Sequence, residues 1–379
     1  MGNIIYLDNS STTKPCEKAV ENINIALEKL WGNPSSLHLL GVQAEIPVTE
    51  ARESVAKLLS CRADEVYFTS CGTESNNTAV FGVCSSRKKR GNRIVTTAIE
   101  HPSVLEAFRK MENEGFEVIY LKPDKNGVVS AADIENAVNS STILVSIMLV
   151  NNETGAIQPI KAAADAIKKS GAPALLHCDA VQGFGKMPIN VNSLGVDLLS
   201  VSGHKIHGPK GIGALYMKKG VTLPSLLVGG GQEKGMRSGT ESVPLIMGLA
   251  GAIDELGNIN DNLKKAKDLW LYAKDKLIAT GLVAINSSRE ALPYILNISV
   301  EGYRSEPLLH FLESKGIYVS SGSACAKGEG SYVLKEMGLS SHLVDSALRL
   351  SFSRFTEKAE IDALCEALTQ ATQRLRRVK

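Results

Sequence analysis

Between residues 66 and 217, short runs of β-branched and other apolar residues alternate with longer stretches of mixed, helix-like polarity. Segments 66–69, 93–96, 118–121, 143–147 and 174–177 read as strands, and the apolar run 196–201 as another. The stretches between them open with helix-entry signals such as Pro102 and Pro159. This rhythm predicts an α/β domain built on a largely parallel sheet, whose ligands gather at the carboxyl ends of the strands. Beyond the glycines at 229–231 and the apolar stretch 243–256, the pattern over 260–280 predicts a connecting helix into a smaller unit. That unit holds strand-like runs at 295–298, 317–319 and 348–352, a helix near Pro307 and a terminal helix. The expected division is a large domain over 15–256 and a small domain formed by 1–14 plus 257–379. No internal repeat, low-complexity linker or membrane span is visible.

Composition narrows the functional classes. With 379 residues the chain is long enough for two such units, and a formal net charge of +2 gives no general reason to bind nucleic acid or an anionic membrane. The first residues lack a charged region followed by a long apolar stretch, so cytoplasm is the expected location. Seven cysteines, odd in number and without a Cys-x-x-Cys pair, argue against a disulfide framework or a structural zinc site. Most are expected to be reduced core filler.

Two strand ends carry the clearest chemistry. Lys205 follows the run 196–201 inside Ser202-Gly203-His204-Lys205-Ile206-His207-Gly208, so a buried strand hands one amine to a glycine-rich loop. Asp179 ends the strand-like run through His177 and Cys178, where a carboxylate can hold the pyridinium proton of pyridoxal 5'-phosphate. Ser70 to Asn77, with Gly72 and Thr73, follows a strand and opens a helix: either an ordinary N-cap or a cradle for a phosphate. Gly183 to Met187 is no P-loop, because Met187 stands where a magnesium-binding hydroxyl belongs. His101, just before Pro102, either enters a helix or stacks on a planar ring and moves protons. The His204 and His207 pair sits in a Gly/Pro loop without the spacing of a metal-binding helix, so no metal site is expected. Cys325, set among Ser321, Gly322, Ser323, Gly328 and Gly330, is an incidental loop cysteine or a nucleophile on a mobile surface loop. Arg349, alternating into an apolar strand, requires an anion: an internal carboxylate or a substrate carboxylate.

In their order along the chain these segments resemble the NifS/IscS-like cysteine desulfurases, a branch of the fold-type I enzymes also called class V aminotransferases. The likeness includes Tyr6 to Thr13, Gly32 to His38, Phe68 to Asn77, Glu100-His101-Pro102, Val150 to Gly155, the Asp179 and Lys205 segments, Gly229 to Glu233, Arg237 to Glu241 and Ser321 to Cys325. The resemblance implies a large, mostly parallel-sheet domain with a smaller α/β C-terminal domain, and a pyridoxal phosphate bonded to Lys205. Asp179 then pairs with the ring nitrogen, Gln182 with the ring oxygen, and His101 stacks on the ring. Gly72, Thr73, Ser202 and His204 surround the phosphate, and Thr240 reaches the phosphate of a second subunit in a homodimer. Asn152, Arg349 and Asn33 face the substrate, and Cys325 takes its sulfur as a persulfide. The implied reaction converts L-cysteine to L-alanine and passes sulfur to an acceptor protein, an iron–sulfur scaffold or a tRNA-thiolation enzyme. A selenocysteine lyase or an aminotransferase on the same fold is the alternative, although an aminotransferase has no use for Cys325. One departure is Ser353, which stands where glycine is common.

Overall fold

The computed structural model describes residues 4–321 and 330–377. Its strands, in chain order, are β1 (Ile5–Tyr6), β2 (Val66–Thr69), β3 (Arg93–Thr97), β4 (Glu117–Leu121), β5 (Thr142–Ser146), β6 (Leu175–Asp179), β7 (Leu198–Ser202), β8 (Gly213–Met217), β9 (Val283–Ile285), β10 (Ile295–Val300), β11 (Ile317–Tyr318) and β12 (Ala347–Ser351). Seven of them form one sheet in the order β2-β8-β7-β6-β5-β3-β4. Neighbours from β7 across to β4 run parallel, and only β8 runs backward, paired antiparallel with both β7 and β2. The mixed α/β class with a large, mostly parallel sheet is the one the alternating pattern predicts. The reversed β8 was not legible, because an apolar run does not record its direction.

The central strands are buried on both faces, as a sheet covered by two helical layers demands. Successive side chains point to opposite layers. Val95, Val145, Leu176 and Leu199 join one core with helices Leu39–Leu59, Ile160–Ser170 and Val243–Asp254. Ile94, Leu144, Leu175 and Leu198 join another, with Val80 and Val83 of helix Gly72–Arg87 and Phe108 of helix Pro102–Asn113. The central parallel strands are thereby packed from both sides, and their carboxyl ends lie along one edge.

A second sheet, β12-β10-β9, packs with helices Ile259–Ala279 and Lys358–Arg374 around a core of its own that includes Leu7, Trp270, Leu296, Leu350 and Leu364. The start of the chain joins this unit: β1 pairs parallel with β11. Asp8 bridges to Ser351 and brings residues 8–13 up to the sheet edge. Helices Glu17–Lys29 and Leu39–Leu59 occupy a stretch where the sequence suggested no element. The second carries Pro47 within it, a residue that ordinarily signals a helix boundary. Among the described residues, no helix is long and apolar enough to cross a membrane.

Candidate active site

Five strand ends meet at one cleft of about 670 Å³. It is lined by Gly72 and Thr73 after β2, His101 after β3, Asn152 after β5, Asp179 and Gln182 from β6 onward, and Ser202, His204 and Lys205 from β7 onward. Arg349 of β12 and the backbone around Ser10 and Ser11 close it from the smaller unit. The cleft therefore assembles ten of the residues singled out from sequence. Asn33 and Thr240 do not line it: both are exposed, and Asn33 accepts the N–H of Ser35 through its side chain. Cys325 lies outside the described residues.

Lys205 ends a one-turn 3-10 helix, Gly203–Lys205, that continues directly from β7. Its Nζ donates to the carbonyls of Ser10 (2.6 Å) and Ser11 (2.7 Å). Gln182 donates its Nε2 to the same Ser10 carbonyl (2.9 Å), and its Oε1 accepts from Lys186 Nζ (3.1 Å). Lys186 is buried, and burial pulls its amine down to about 7, with the Lys205 and Arg349 charges acting in the same direction.

Asp179 is the last residue of β6, nearly covered, and its two oxygens are already held. Oδ1 accepts from the backbone N–H of Val181 (3.0 Å) and Oδ2 from Asn76 Nδ2 (2.7 Å). Asn76 also donates to Ser103 Oγ (2.9 Å), which lies 2.8 Å from His101 Nδ1. The Ser103 backbone N–H points at the same nitrogen (3.2 Å), so Nδ1 is an acceptor and the hydrogen of the neutral ring sits on Nε2. Burial lowers the His101 imidazole below its ordinary value; Asp179 opposes this and Lys205 adds to it. Asn76 thus links the carboxylate to the imidazole, a role the sequence did not reveal. The signal was its position three residues after Thr73, on the same helical face.

Other groups in the cleft wait for partners. Among the described residues, Ser202 Oγ, Asn152 Oδ1, Arg349 Nε and Ser10 Oγ are buried polar atoms without a hydrogen-bond partner. Helix Gly72–Arg87 begins without a side-chain cap, which leaves first-turn N–H groups and a positive dipole end facing the cleft. A Cβ at Gly72 would come within 2.7 Å of Val181 Cγ2, so only glycine lets that backbone stand there. His204 Nδ1 lies 3.1 Å from Thr12 Oγ1, and burial pulls its ring down to about 4, so it is neutral at physiological pH. Uncommitted N–H and O–H donors around a helix start suit a phosphate, and a neutral imidazole over a buried carboxylate suits a protonated ring nitrogen. The donor set therefore fits pyridoxal phosphate.

Arg349 combines both readings its sequence position left open. It is nearly covered, and Nη2 donates to Asp8 Oδ1 (2.7 Å) and Ser11 Oγ (2.6 Å), while Nη1 donates to the Asn152 carbonyl (3.0 Å). An internal salt bridge orients the guanidinium, and Nε remains for a ligand.

The six described cysteines are free thiols, with Cys16, Cys84 and Cys178 buried and Cys61, Cys71 and Cys365 partly covered. Burial pushes Cys61 and Cys84 up to about 12, and Cys178 well above its ordinary value, which keeps these thiols protonated and unreactive.

The family description "Aminotransferase class-V" matches residues 5–364. A cysteine desulfurase of Nostoc sp. is 41% identical over 383 residues, covering 99% of this chain and 94% of its own length. Among solved structures, a NifS-like protein superposes with a TM-score of 0.93 at 36% identity, covering 98% of this chain and 100% of its own. SspA in complex with cysteine does so at 0.83 and 32% identity, covering 93% and 100%.

Proposed function

We infer the function from one premise: the chain belongs to the class V aminotransferase family, and within it is a cysteine desulfurase. The observation that best supports this is the convergence of Lys205, Asp179, His101 and Arg349 on a single cleft at the sheet edge. In our reading Lys205 bonds covalently to pyridoxal phosphate, whose phosphate is received by Gly72, Thr73, Ser202 and His204. Asp179 holds the ring nitrogen protonated, Gln182 meets the ring oxygen, and His101 covers the ring. When bound, the cofactor supplies an electron-withdrawing ring conjugated to the substrate Cα.

The chain's own groups do the rest. Arg349, with Asn152 beside it, takes the carboxylate of L-cysteine, and Asn33 is a further substrate contact when it reaches a site. The freed Lys205 amine removes the Cα proton and later returns one to carbon. Cys325, as thiolate, attacks the substrate sulfur: an S–S bond forms, the Cβ–S bond breaks, and its electron pair is taken up with a proton to give alanine. The balance is L-cysteine plus Cys325 thiol to L-alanine plus Cys325 persulfide. The persulfide then goes to an acceptor protein, an iron–sulfur scaffold or a tRNA-thiolation enzyme.

We further propose a cytoplasmic homodimer. Trp31, Leu37, Leu39, Leu40, Val42 and Ile46 are exposed apolar side chains in and beside the two N-terminal helices, and a cluster of this kind marks an association surface. Thr240, exposed and outside its own cleft, then serves the phosphate of the other copy. The small domain of 1–14 plus 257–379 is favoured by the β1–β11 pairing. Incubation with L-cysteine and a thiol, with alanine and sulfide assayed together, tests the reaction. Equal amounts of both are expected, and pyruvate or no sulfide would overturn it.

A further inference from the structure

Lys186 is a second, buried amine, one hydrogen bond behind the cleft-lining Gln182, and the reaction above gives it no task. Among the described residues it makes no salt bridge, although an isolated buried ammonium is costly unless something in the fold requires it. Its hydrogen bond is to Gln182 Oε1, at 3.1 Å. On another side it touches a cavity of about 20 Å³, shared with Lys205 and lined also by Thr13, His207 and Asn262, which is room for about one water.

The chemistry of the two groups flanking Gln182 is one-sided. An ammonium only donates, so the amide oxygen must face Lys186; the Ser10 carbonyl only accepts, so the amide nitrogen must face Ser10 (2.9 Å). Both constraints select the same rotation of an amide that would otherwise flip freely. The nitrogen carries a second hydrogen, and Gln182 lines the cleft. A flipped amide would instead present an oxygen to the ring oxygen of the cofactor, acceptor against acceptor.

We propose that Lys186 is a positioning residue for the cofactor site: its ammonium locks the Gln182 amide with the N–H end toward the cleft, so that Gln182 meets the ring oxygen as a donor. This rests on the cofactor reading above. Burial and the neighbouring Lys205 and Arg349 charges pull the Lys186 amine down to about 7, so the lock is complete below that pH, where the amine is an ammonium, and loosens above it.

The test is a pH titration of the visible absorbance of purified holoenzyme. A donor to the ring oxygen withdraws electron density, which would make the Lys205 nitrogen, when bonded to the cofactor, more acidic. Lys186→Met is therefore expected to raise the absorbance midpoint by about one pH unit. Gln182→Leu is expected to raise it similarly, and in the Gln182→Leu background Lys186→Met is expected to add less than about half its single shift, because the two act as one unit. If Lys186→Met fails to fold, Lys186→Gln carries the test with a smaller rise in the same direction. An unchanged midpoint in the folded variant, or shifts that simply add, would overturn the proposal. Wild-type protein that takes up no cofactor would instead defeat the cofactor reading, a separate and visible outcome.

Discussion

The two ends of the cleft are built on opposite principles. Around Asp179, His101 and Gln182 nearly every polar atom already has a protein partner: Val181 and Asn76 on the carboxylate, Ser103 on the imidazole, Ser10 and Lys186 on the amide. Around Ser202, Asn152 and Arg349, buried donors and acceptors stand without one among the described residues. Each such orphan costs about 1–3 kcal/mol in the free protein. The difference separates two tasks. A group that must hold one charge state or tautomer is tied down in advance, whereas a donor that receives an anionic ligand, such as Ser202 Oγ or Arg349 Nε, is left uncommitted, and the ligand restores its hydrogen bond.

The largest effect is expected where the tied end sets charge. Asp179→Asn keeps the shape but removes the negative charge, so the protein is expected to take up the cofactor and remain folded while kcat for alanine release falls by at least about a hundredfold. Absorbance and a steady-state alanine assay check this together. Wild-type turnover in a coloured Asp179→Asn protein would mean that the ordered end carries no electrostatic duty.

Next in size is Arg349→Lys. Lysine preserves the charge toward Asp8 but loses the planar fork, so KM for L-cysteine is expected to rise about tenfold or more, with kcat less affected. A kcat loss with unchanged KM would assign Arg349 to structure alone.

Ser202→Ala probes an orphan directly, because its consequences differ in sign with and without the ligand. Cofactor affinity is expected to weaken by about fivefold, near 1 kcal/mol, while the melting temperature of the cofactor-free protein stays level or rises. Calorimetry on both forms distinguishes this from a simple core defect, which would lower both.

The smallest effect on the reaction itself concerns Glu100, buried beside His101 and read out in stability. Its Oε1 accepts from Thr97 Oγ1 (2.7 Å) and the Met148 N–H (2.9 Å), and Oε2 has no partner among the described residues. Burial pushes the carboxyl up to about 8, with Asp179 adding to the rise. A carboxyl raised above its unfolded value contributes stability that is fully present below about 4.5 and is lost as pH rises through the folded value. Glu100→Gln does not titrate, so its melting temperature relative to the parent is expected to climb from pH 5 to pH 8. A difference that stays flat across this range would show that Glu100 is ionised throughout.

The strand ends were legible in sequence for a physical reason. A parallel sheet with both faces covered forces apolar runs to stop where backbone meets ligand, so Asp179, Lys205 and His101 stand out at the break in pattern. Partners that act across the chain were not legible. Asn76 reaches Asp179 over a hundred residues away, and Asp8 reaches Arg349 from the other end of the chain; no local pattern encodes either contact. Helix Leu39–Leu59 escaped because Pro47 interrupts its signal and its first turns expose the apolar Leu39, Leu40, Val42 and Ile46. Asn33 and Thr240 were proposed through resemblance alone, and both lie outside the cleft of their own chain.

The central claim is that the half-buried amine at the end of β7, and not the more deeply buried amine hydrogen-bonded to Gln182, carries the cofactor. Borohydride reduction of the holoenzyme followed by peptide mapping tests it most directly. The account predicts a phosphopyridoxyl group on Lys205 and an unmodified Lys186; a label on Lys186, or on Lys210 in the following loop, would contradict it.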